Sequence, residues 1–284
     1  MLMADVHILH RADFYKIVNY TCHCTICSVS DPEYNDSFNL SFVRKGFFEY
    51  RTYRRNEEAH VGRILISKPG YEHTTRHIDN QPDISTTIEF KKSFYKEICE
   101  QYKQSLSWFL TNNDIHSILI NSSPELEYLN FYLVNKINSG KASSLQIDES
   151  AIQLLQKVMD VLANGSPPGS VNENLKKNHL VTAEAAKNYL LYHFKENVSL
   201  QQLAQHCHVS LFHFSRIFKT IMNVSPHQYL SSVRLNHAKI LLETTVLPVT
   251  DVAFDCGFNS LEHFVTAYKK RFAVTPSSYR NQLA

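Results

Sequence analysis

Two largely polar helix faces, fifty residues apart in the chain, carry the side chains best suited to contacting a partner. The first face consists of Phe212, Ser215, Arg216 and Lys219, and the second of Glu262, Val265, Thr266 and Lys269. Arg216 carries a planar fork of N–H donors that matches a pair of acceptors, whereas Thr266 at the equivalent position offers one short hydroxyl. Nine positions within residues 211–229 recur within residues 261–279 at the same offset, which indicates an internal repeat.

Each polar face belongs to a predicted helix that follows a shorter helix across a tight turn. Apolar residues recur at helical spacing on the opposite face of each long helix. Ser199 and Gln202 form a capping box at the start of the first short helix, and Gly257 supplies the turn after the second. We therefore expect two helix-turn-helix motifs, at about residues 199–221 and 249–272. A second helix with a polar face suits insertion into the DNA major groove.

Several stretches of this block carry a specific family pattern. They are the run 210–219, the helix 234–242, Gly257-Phe258 leading into Phe264, and the closing segment 274–280. With them, the block from about Val181 to Asn281 resembles the DNA-binding domain of the AraC/XylS family of bacterial transcription regulators. The resemblance implies seven helices, with two recognition helices joined by a long helix over about residues 226–243. Family members commonly carry Arg where this chain has Thr266, and Gly where it has Ala273.

The exposed side chains can be given roles in DNA recognition. Arg216 suits a bidentate contact with a guanine edge, Phe212 a contact with a thymine methyl, and Ser215 a hydrogen bond to a base or a phosphate. Lys219 and Lys269 lie farther along their helices and are expected to contact phosphates. The alternative is that a residue is exposed to solvent and contacts no partner. This alternative is strongest for Glu262, Val265 and Thr266.

The amino-acid composition limits the classes to which the protein can belong. The chain has 284 residues, 43% of them hydrophobic, which suffices for two globular domains. Its net charge of +2 hides a gradient, because residues 1–179 hold 19 Lys and Arg against 21 Asp and Glu, whereas residues 180–284 hold 10 against 6. Only the C-terminal part is basic and would attract phosphate. Cys207 and Cys256 take apolar helix positions, so both are expected to be buried.

A membrane location is not expected. No apolar run approaches the roughly 20 residues that a membrane span needs. Where a signal peptide would need an apolar core, the chain carries Asp5, His7 and His10. We therefore expect a cytoplasmic protein.

The first part of the chain, residues 1–118, is predicted to be rich in β-strands. Apolar residues alternate at Phe38, Leu40 and Phe42 and in later segments, and Gly and Pro separate the segments. Short strands of this kind favour a small barrel or sandwich. Residues 42–46 and 68–73 resemble strands of the cupin-like sensor barrel that is typical of the family. The predicted fold is thus α+β multidomain, with a cupin-like barrel and a helical pair followed by an all-α double helix-turn-helix domain.

Residues 119–165 are predicted to form the helical pair, with helices at Ser122–Ser139 and Asp148–Ala163. Their apolar stripes could pack on the barrel or could pair with the same helices of a second subunit, and the family favours the homodimer. Residues 166–178, rich in Gly, Pro and polar residues, are the expected linker. The DNA-binding domain would then occupy residues 179–284, with its first helix at Thr182–Phe194.

Three sulfurs and an imidazole fall within six residues at Cys22, His23, Cys24 and Cys27. Such a set could ligate zinc or form a redox switch. We favour a structural role, because on a strand Cys22 and Cys24 share one face while His23 and Cys27 take the other. In addition, no second cysteine pair follows downstream.

His73 and His77 raise the question of a cupin metal enzyme. Catalytic cupins resemble one another in a His-x-His pair followed by a Glu and a later His, whereas here three residues separate the histidines and no such Glu is in register. We expect these histidines to line a strand or loop, and at best to contact an effector. Catalytic residues and cofactors are not predicted.

These features favour a sequence-specific DNA-binding regulator of transcription that reads two successive major grooves. The resemblance implies an effector-responsive activator that acts with RNA polymerase on double-stranded DNA. Two other classes stay open: an enzyme in the barrel half, and an architectural DNA-binding protein with no sensor role.

Overall fold

A computed structural model describes residues 4–23, 29–53, 55–77, 82–164 and 176–283. The chain divides into two compact units, Met1–Glu184 and Ala185–Ala284. Most of the predicted linker, residues 166–175, lies outside the described ranges. Its last residues, 176–178, belong to a helix that begins six residues before the predicted start at Thr182.

The N-terminal unit contains two sheets in which every strand pair is antiparallel. The six-stranded sheet has the order β1 (Ala4–Arg11), β2 (Tyr15–Cys22), β9 (Ile84–Lys91), β4 (Ser37–Lys45), β7 (Arg63–Ser67) and β10 (Ser117–Asn121). The four-stranded sheet has the order β3 (Glu33–Asn35), β8 (Tyr71–His77), β5 (Phe47–Thr52) and β6 (Arg55–His60). The predicted β-rich region is confirmed.

Alternation along the strands separates two apolar layers. Phe38, Leu40 and Phe42 lie on one face of the six-stranded sheet and pack in the core formed with the helices of this unit. On the other face, Val43 belongs to a smaller buried cluster together with Phe48 of the four-stranded sheet. The period of two in side-chain direction therefore places one apolar set against helices and the other between sheets.

Among the described residues of the N-terminal unit, four helices precede the one that begins at its end: α1 (Lys92–Gln101), α2 (Lys103–Leu110), α3 (Pro124–Asn138) and α4 (Ser144–Asn164). The first two fall inside the region predicted as β-rich. Helices α3 and α4 lie within the region predicted as a helical pair, but α4 begins four residues before Asp148 and the caps differ. Ser123, not Ser122, caps α3 by accepting a hydrogen bond from the Leu126 amide at 3.2 Å. Asp148 lies inside α4 and accepts a hydrogen bond from the Tyr15 hydroxyl at 2.7 Å.

The apolar stripes of α3 and α4 are covered within the chain itself. Leu126, Leu133, Leu154 and Leu155 are buried in the same core as the six-stranded sheet. Of the two predicted uses, packing on the sheet therefore holds for these residues. A dimer contact through this helical pair would have to use the outward faces of the helices.

The C-terminal unit contains the seven helices that the family resemblance implies. They are α5 (Lys176–Tyr192), which begins at the end of the first unit, α6 (Leu200–His206), α7 (Leu211–Met222), α8 (Pro226–Thr244), α9 (Val249–Asp255), α10 (Leu261–Phe272) and α11 (Pro276–Asn281). The predicted capping box is present, because the Gln202 amide donates to Ser199 Oγ at 3.1 Å while the Gln202 side chain accepts from the Ser199 amide. Ser210 and Ser260 cap α7 and α10, because their hydroxyl groups accept hydrogen bonds from the His213 and His263 amides respectively.

Each recognition helix ends in a left-handed residue. Asn223 has φ 59° after α7, and Ala273 has φ 65° after α10. Asparagine tolerates this region, whereas the alanine Cβ approaches the backbone unfavourably there. The position at which family members commonly carry glycine is thus a strained C-cap.

Ala273→Gly is expected to raise the free energy of unfolding of the C-terminal unit by about 1 kcal/mol, because glycine removes the Cβ clash at positive φ. Asn223→Gly is the matched control and should change stability by only a few tenths of a kcal/mol. Urea denaturation followed by circular dichroism measures both. A stability loss for Ala273→Gly would show that the turn is not strained.

Candidate nucleic-acid interface

The first helix-turn-helix motif is formed by α6 and α7. His208 makes the turn at φ 55°, and the Val209 amide donates to the Ala204 carbonyl at 3.0 Å. Phe214 and Phe218 are fully buried on the inner face of α7. Helical periodicity therefore turns the opposite face of α7 to solvent.

The outward face of α7 carries three of the predicted contacts in exposed positions. Phe212 exposes 82% of its surface in the first turn, and Arg216 and Lys219 are exposed in the turns that follow. Ser215 is only half-exposed, and its hydroxyl donates to the Leu211 carbonyl at 3.2 Å. A serine that bonds back to its own helix has less to offer a base. The structure therefore gives Ser215 the weakest position of the four.

The second motif is formed by α9 and α10, with Phe264 and Tyr268 buried on the inner face of α10. Glu262, Thr266 and Lys269 are exposed, as predicted for a contact surface. Val265 is half-buried and packs against the core of this motif. Its side chain thus serves packing at least as much as any outward contact.

The position of Glu262 can be explained by an interaction with its own helix. It lies in the first turn of α10, where a carboxylate stabilises the positive end of the helix dipole. The same negative charge would repel DNA phosphates, although it can accept a hydrogen bond from cytosine.

The end of α10 adds basic residues to the predicted set. Lys269, Lys270 and Arg271 are all exposed in the last turn. The signal for the two additional residues is present in the sequence as a run of three basic side chains. Three cations at one helix end form a surface suited to phosphate contacts.

Both recognition helices pack on the long helix α8. Near its start, the Tyr229 ring contacts Phe218 of α7 edge-on, with 5.6 Å between ring centroids. Farther along, Leu235 and Ala238 share a core with Phe264 of α10. A single rigid helix thus fixes the position of one recognition helix relative to the other.

Arg234 of α8 ties this helix to the segment that follows α5. Its Nε donates to the Phe194 carbonyl and its terminal NH2 group to the Glu196 carbonyl, both at 2.7 Å. Burial lowers the pKa of Arg234 from its usual high value, and the guanidinium stays charged. The role of this arginine is therefore structural.

Gly257 lies in the turn of the second motif against the same segment. Its φ is 81°, and a Cβ added there would lie 2.7 Å from the Lys195 carbonyl oxygen and 2.9 Å from that of Phe194. The turn residue predicted from sequence is thus required twice, for its backbone angle and for the close approach of another backbone.

The two cysteines of the C-terminal unit behave as apolar packing residues. Burial raises the pKa of Cys207 to about 11 and that of Cys256 to about 12. Both are therefore protonated near pH 7 and are poor nucleophiles. Cys256 is buried as expected, whereas the expectation of burial was wrong for Cys207, which is only half-buried because it lies just after the last residue of α6.

In the N-terminal unit, His73 and His77 lie on β8 and line a cavity of about 270 Å³ between the two sheets. The His73 ring stacks on Tyr50 with 4.5 Å between centroids, and burial lowers the pKa of His73 to about 4. Among the described residues, His73 Nδ1 is buried without a hydrogen-bond partner. His73 is thus neutral at physiological pH and presents an unused polar atom.

The predicted cysteine cluster is only partly described. Cys22 is buried and lines the cavity, whereas His23 is exposed and its Nε2 lies 3.0 Å from Asp5. Cys24 and Cys27 lie outside the described residues. The two described members therefore point to different environments, as the alternation of a strand requires.

None of the helices in the described part of the chain combines the length and the apolar character that a bilayer crossing requires.

Two helix-turn-helix motifs on one helical scaffold define a DNA-binding protein of the double-motif class. A helix-turn-helix domain family matches residues 203–282. The chain is 22% identical over 252 residues to the uncharacterised helix-turn-helix transcriptional regulator YdeC of Bacillus subtilis, covering 87% of this chain and 84% of YdeC. It is 31% identical over 129 residues to the transcriptional activator RhaS of Escherichia fergusonii, covering 45% of this chain and 44% of RhaS.

Among solved structures, a Chromobacterium violaceum transcriptional regulator with an AraC-type DNA-binding domain is 30% identical. The match covers 36% of this chain and 92% of that one, with a TM-score of 0.34. The C-terminal unit therefore carries a helix-turn-helix domain of the AraC type, and the chain is similar to transcription regulators of the AraC/XylS family.

Proposed function

We propose that the protein binds its DNA sites by placing α7 and α10 in two successive major grooves. The observation that carries the proposal is the exposed face of α7, where an almost fully exposed phenylalanine lies one turn before an exposed arginine. In this proposal Arg216 contacts a guanine edge and Phe212 contacts a thymine methyl, while Thr266 and Glu262 make weaker base contacts. The two grooves lie about 34 Å apart on one face of the duplex.

The exposed lysines and arginine are proposed to contact phosphates. Lys219 extends from α7, and Lys269, Lys270 and Arg271 extend from the last turn of α10. Because these contacts release counterions from DNA, the logarithm of the binding constant should fall with the logarithm of salt concentration.

Lys269→Gln is expected to make the salt slope of operator binding shallower by about 0.9, the contribution of one phosphate contact. Preference among base sequences should not change, because a phosphate carries no sequence information. Lys141→Gln is the control, since Lys141 is an exposed lysine of the N-terminal unit. Fluorescence anisotropy of the full-length protein between low and high salt gives the slopes. An unchanged slope for Lys269→Gln would remove this residue from the interface.

The N-terminal unit is proposed to bind a small effector in the cavity between its sheets, without transforming it. The cavity of about 270 Å³ has a mixed lining that includes the Tyr50 ring, the neutral His73 and the Glu33 carboxylate. Such a lining suits a small molecule with both an apolar part and hydrogen-bonding groups. His73 Nδ1 is the atom best placed to bind it.

We further propose that the protein is an activator that acts in the cytoplasm, contacts RNA polymerase and forms a homodimer. The similarity to RhaS, a transcriptional activator, supports activation as the direction of control. Genomic footprinting in cells, compared between wild type and His73→Leu, tests the sensor role. Occupancy that depends on growth conditions in wild type and not in His73→Leu is expected. Constant occupancy in wild type would favour an architectural protein.

A further inference from the structure

One corner of the N-terminal unit brings together a thiol, an imidazole and a carboxylate from three separate strand ends. Cys22 ends β2, His77 ends β8, and Asp83 immediately precedes β9. One ligand atom from each lies within 4.8 Å of the other two. Two sheets therefore meet at this cluster, because β2 and β9 belong to the six-stranded sheet and β8 to the other.

The cluster has a defined order. Cys22 Sγ lies 3.7 Å from His77 Nδ1, and His77 Nε2 is hydrogen-bonded to the Asp83 carboxylate. Because a carboxylate only accepts, Nε2 donates in this bond, and Nδ1 then presents its lone pair toward the sulfur. The imidazole is thus oriented with its basic nitrogen beside the thiol.

The backbone holds the cluster firmly. The Cys22 amide donates to the Asp83 carbonyl at 2.9 Å. Gly46, at φ 81°, lets the Asp83 backbone approach so closely that an added Cβ would lie 2.7 Å from Asp83 Cα. Cys22 and Asp83 are therefore buried and fixed in place before any ligand arrives.

The arrangement of the Cys22, His77 and Asp83 side chains matches that of a metal site in two independent respects. Bonds of about 2.3 Å from zinc to sulfur and about 2.0–2.1 Å from zinc to nitrogen at tetrahedral angles place the two ligand atoms about 3.6 Å apart. In addition, metal-binding histidines usually donate their other N–H to a carboxylate, which fixes the ring orientation and raises its basicity. The observed 3.7 Å separation and the Asp83 contact meet both conditions.

We propose that Cys22 and His77 bind a thiophilic divalent cation of the zinc type, with Asp83 orienting His77. A thiolate with an imidazole selects such an ion over magnesium or calcium, which prefer oxygen. All three residues line the cavity, so the remaining coordination positions are open to water or to a small molecule with a donor group. The proposal does not depend on the DNA contacts or on the assignment of His73.

The site differs from the cysteine cluster considered in the sequence. His23, the imidazole next to Cys22 in the chain, is exposed and lies beside Asp5. The imidazole that faces Cys22 comes instead from 55 residues farther along. Because Cys22 and His77 are far apart in the sequence, their proximity arises only from the pairing of the strands that carry them.

The test uses the full-length protein after chelation and reduction, titrated with Co²⁺ as a spectroscopic probe and with Zn²⁺ in competition. Wild type should bind one equivalent per chain and develop a thiolate-to-cobalt charge-transfer band that Zn²⁺ abolishes. Cys22→Ser should lose the band. Asp83→Asn should keep the band but weaken affinity by about 10–100-fold, as expected for loss of an outer-shell partner.

Controls separate this site from other thiols. Cys99→Ser and His23→Ala should leave the titration unchanged, because Cys99 lies in α1 and His23 faces solvent. Retained operator binding by each variant reports that its DNA-binding unit is folded, and a native circular dichroism spectrum reports the sheets. Absence of a stoichiometric band in wild type would overturn the proposal. So would a band that persists in Cys22→Ser and is lost in Cys24→Ser or Cys27→Ser.

Discussion

Replacing Arg216 with alanine is expected to weaken binding to the cognate DNA site by about 1–3 kcal/mol, or about 5–150-fold. The side chain is exposed on the outer face of α7 and can donate two hydrogen bonds to one guanine. Its loss should also relax preference at a single base pair. Binding-site selection with randomised DNA measures affinity and preference together.

The equivalent position of the second motif should respond differently. Thr266 is exposed on α10 but carries one short hydroxyl, so Thr266→Ala should cost less and relax preference little. Thr266→Arg should instead create a guanine preference about one helical turn of DNA from the first half-site. Equal losses from both alanine variants would mean that the assigned faces are wrong. Absence of a new preference in Thr266→Arg would mean that α10 contacts only the backbone of DNA.

Gly257→Ala is expected to destabilise the C-terminal unit by about 3 kcal/mol or more, because backbone strain and steric overlap add. The new Cβ would lie 2.7 Å from the Lys195 carbonyl oxygen, and that carbonyl belongs to a segment held by Arg234. Since the segment cannot move freely, the turn must distort. The midpoint of thermal unfolding of this unit should fall by more than about 12 °C, and operator binding should be lost at growth temperature.

Gly140 provides the control for backbone strain alone. It also has a positive φ of 64°, but an added Cβ there meets no atom within 4 Å. Gly140→Ala should therefore cost only about 1 kcal/mol. Differential scanning calorimetry of the full-length protein resolves the two variants. Similar losses for both would show that steric overlap at Gly257 is unimportant.

Local signals account for the parts of the fold that the sequence predicts well. The capping box at Ser199, the turn at Gly257 and the helical spacing of apolar residues each act within a few residues of chain. These signals define both helix-turn-helix motifs almost to the residue. Alternation in β4 likewise places Phe38, Leu40 and Phe42 on one face.

Contacts between distant residues account for what the sequence does not predict. Asp148 looks like a helix cap, yet it pairs with Tyr15, which is 133 residues away. Val265 has the spacing of an outward residue, yet the core of its motif covers half of it. The pairing of Cys22 with His77 depends on which strand ends meet, and strand order across two sheets is not a local property.

The sharing of α8 by both motifs has a consequence for the evolution of the operators. Because this helix has no break between its contacts with α7 and α10, the spacing of the two recognition helices cannot adjust to the DNA. A base substitution in one half-site weakens one contact and leaves the other in place. One inserted base pair, in contrast, rotates the second half-site by about 34° around the duplex axis and takes it out of reach. Target promoters of this protein should therefore diverge by substitution while keeping the length between half-sites constant.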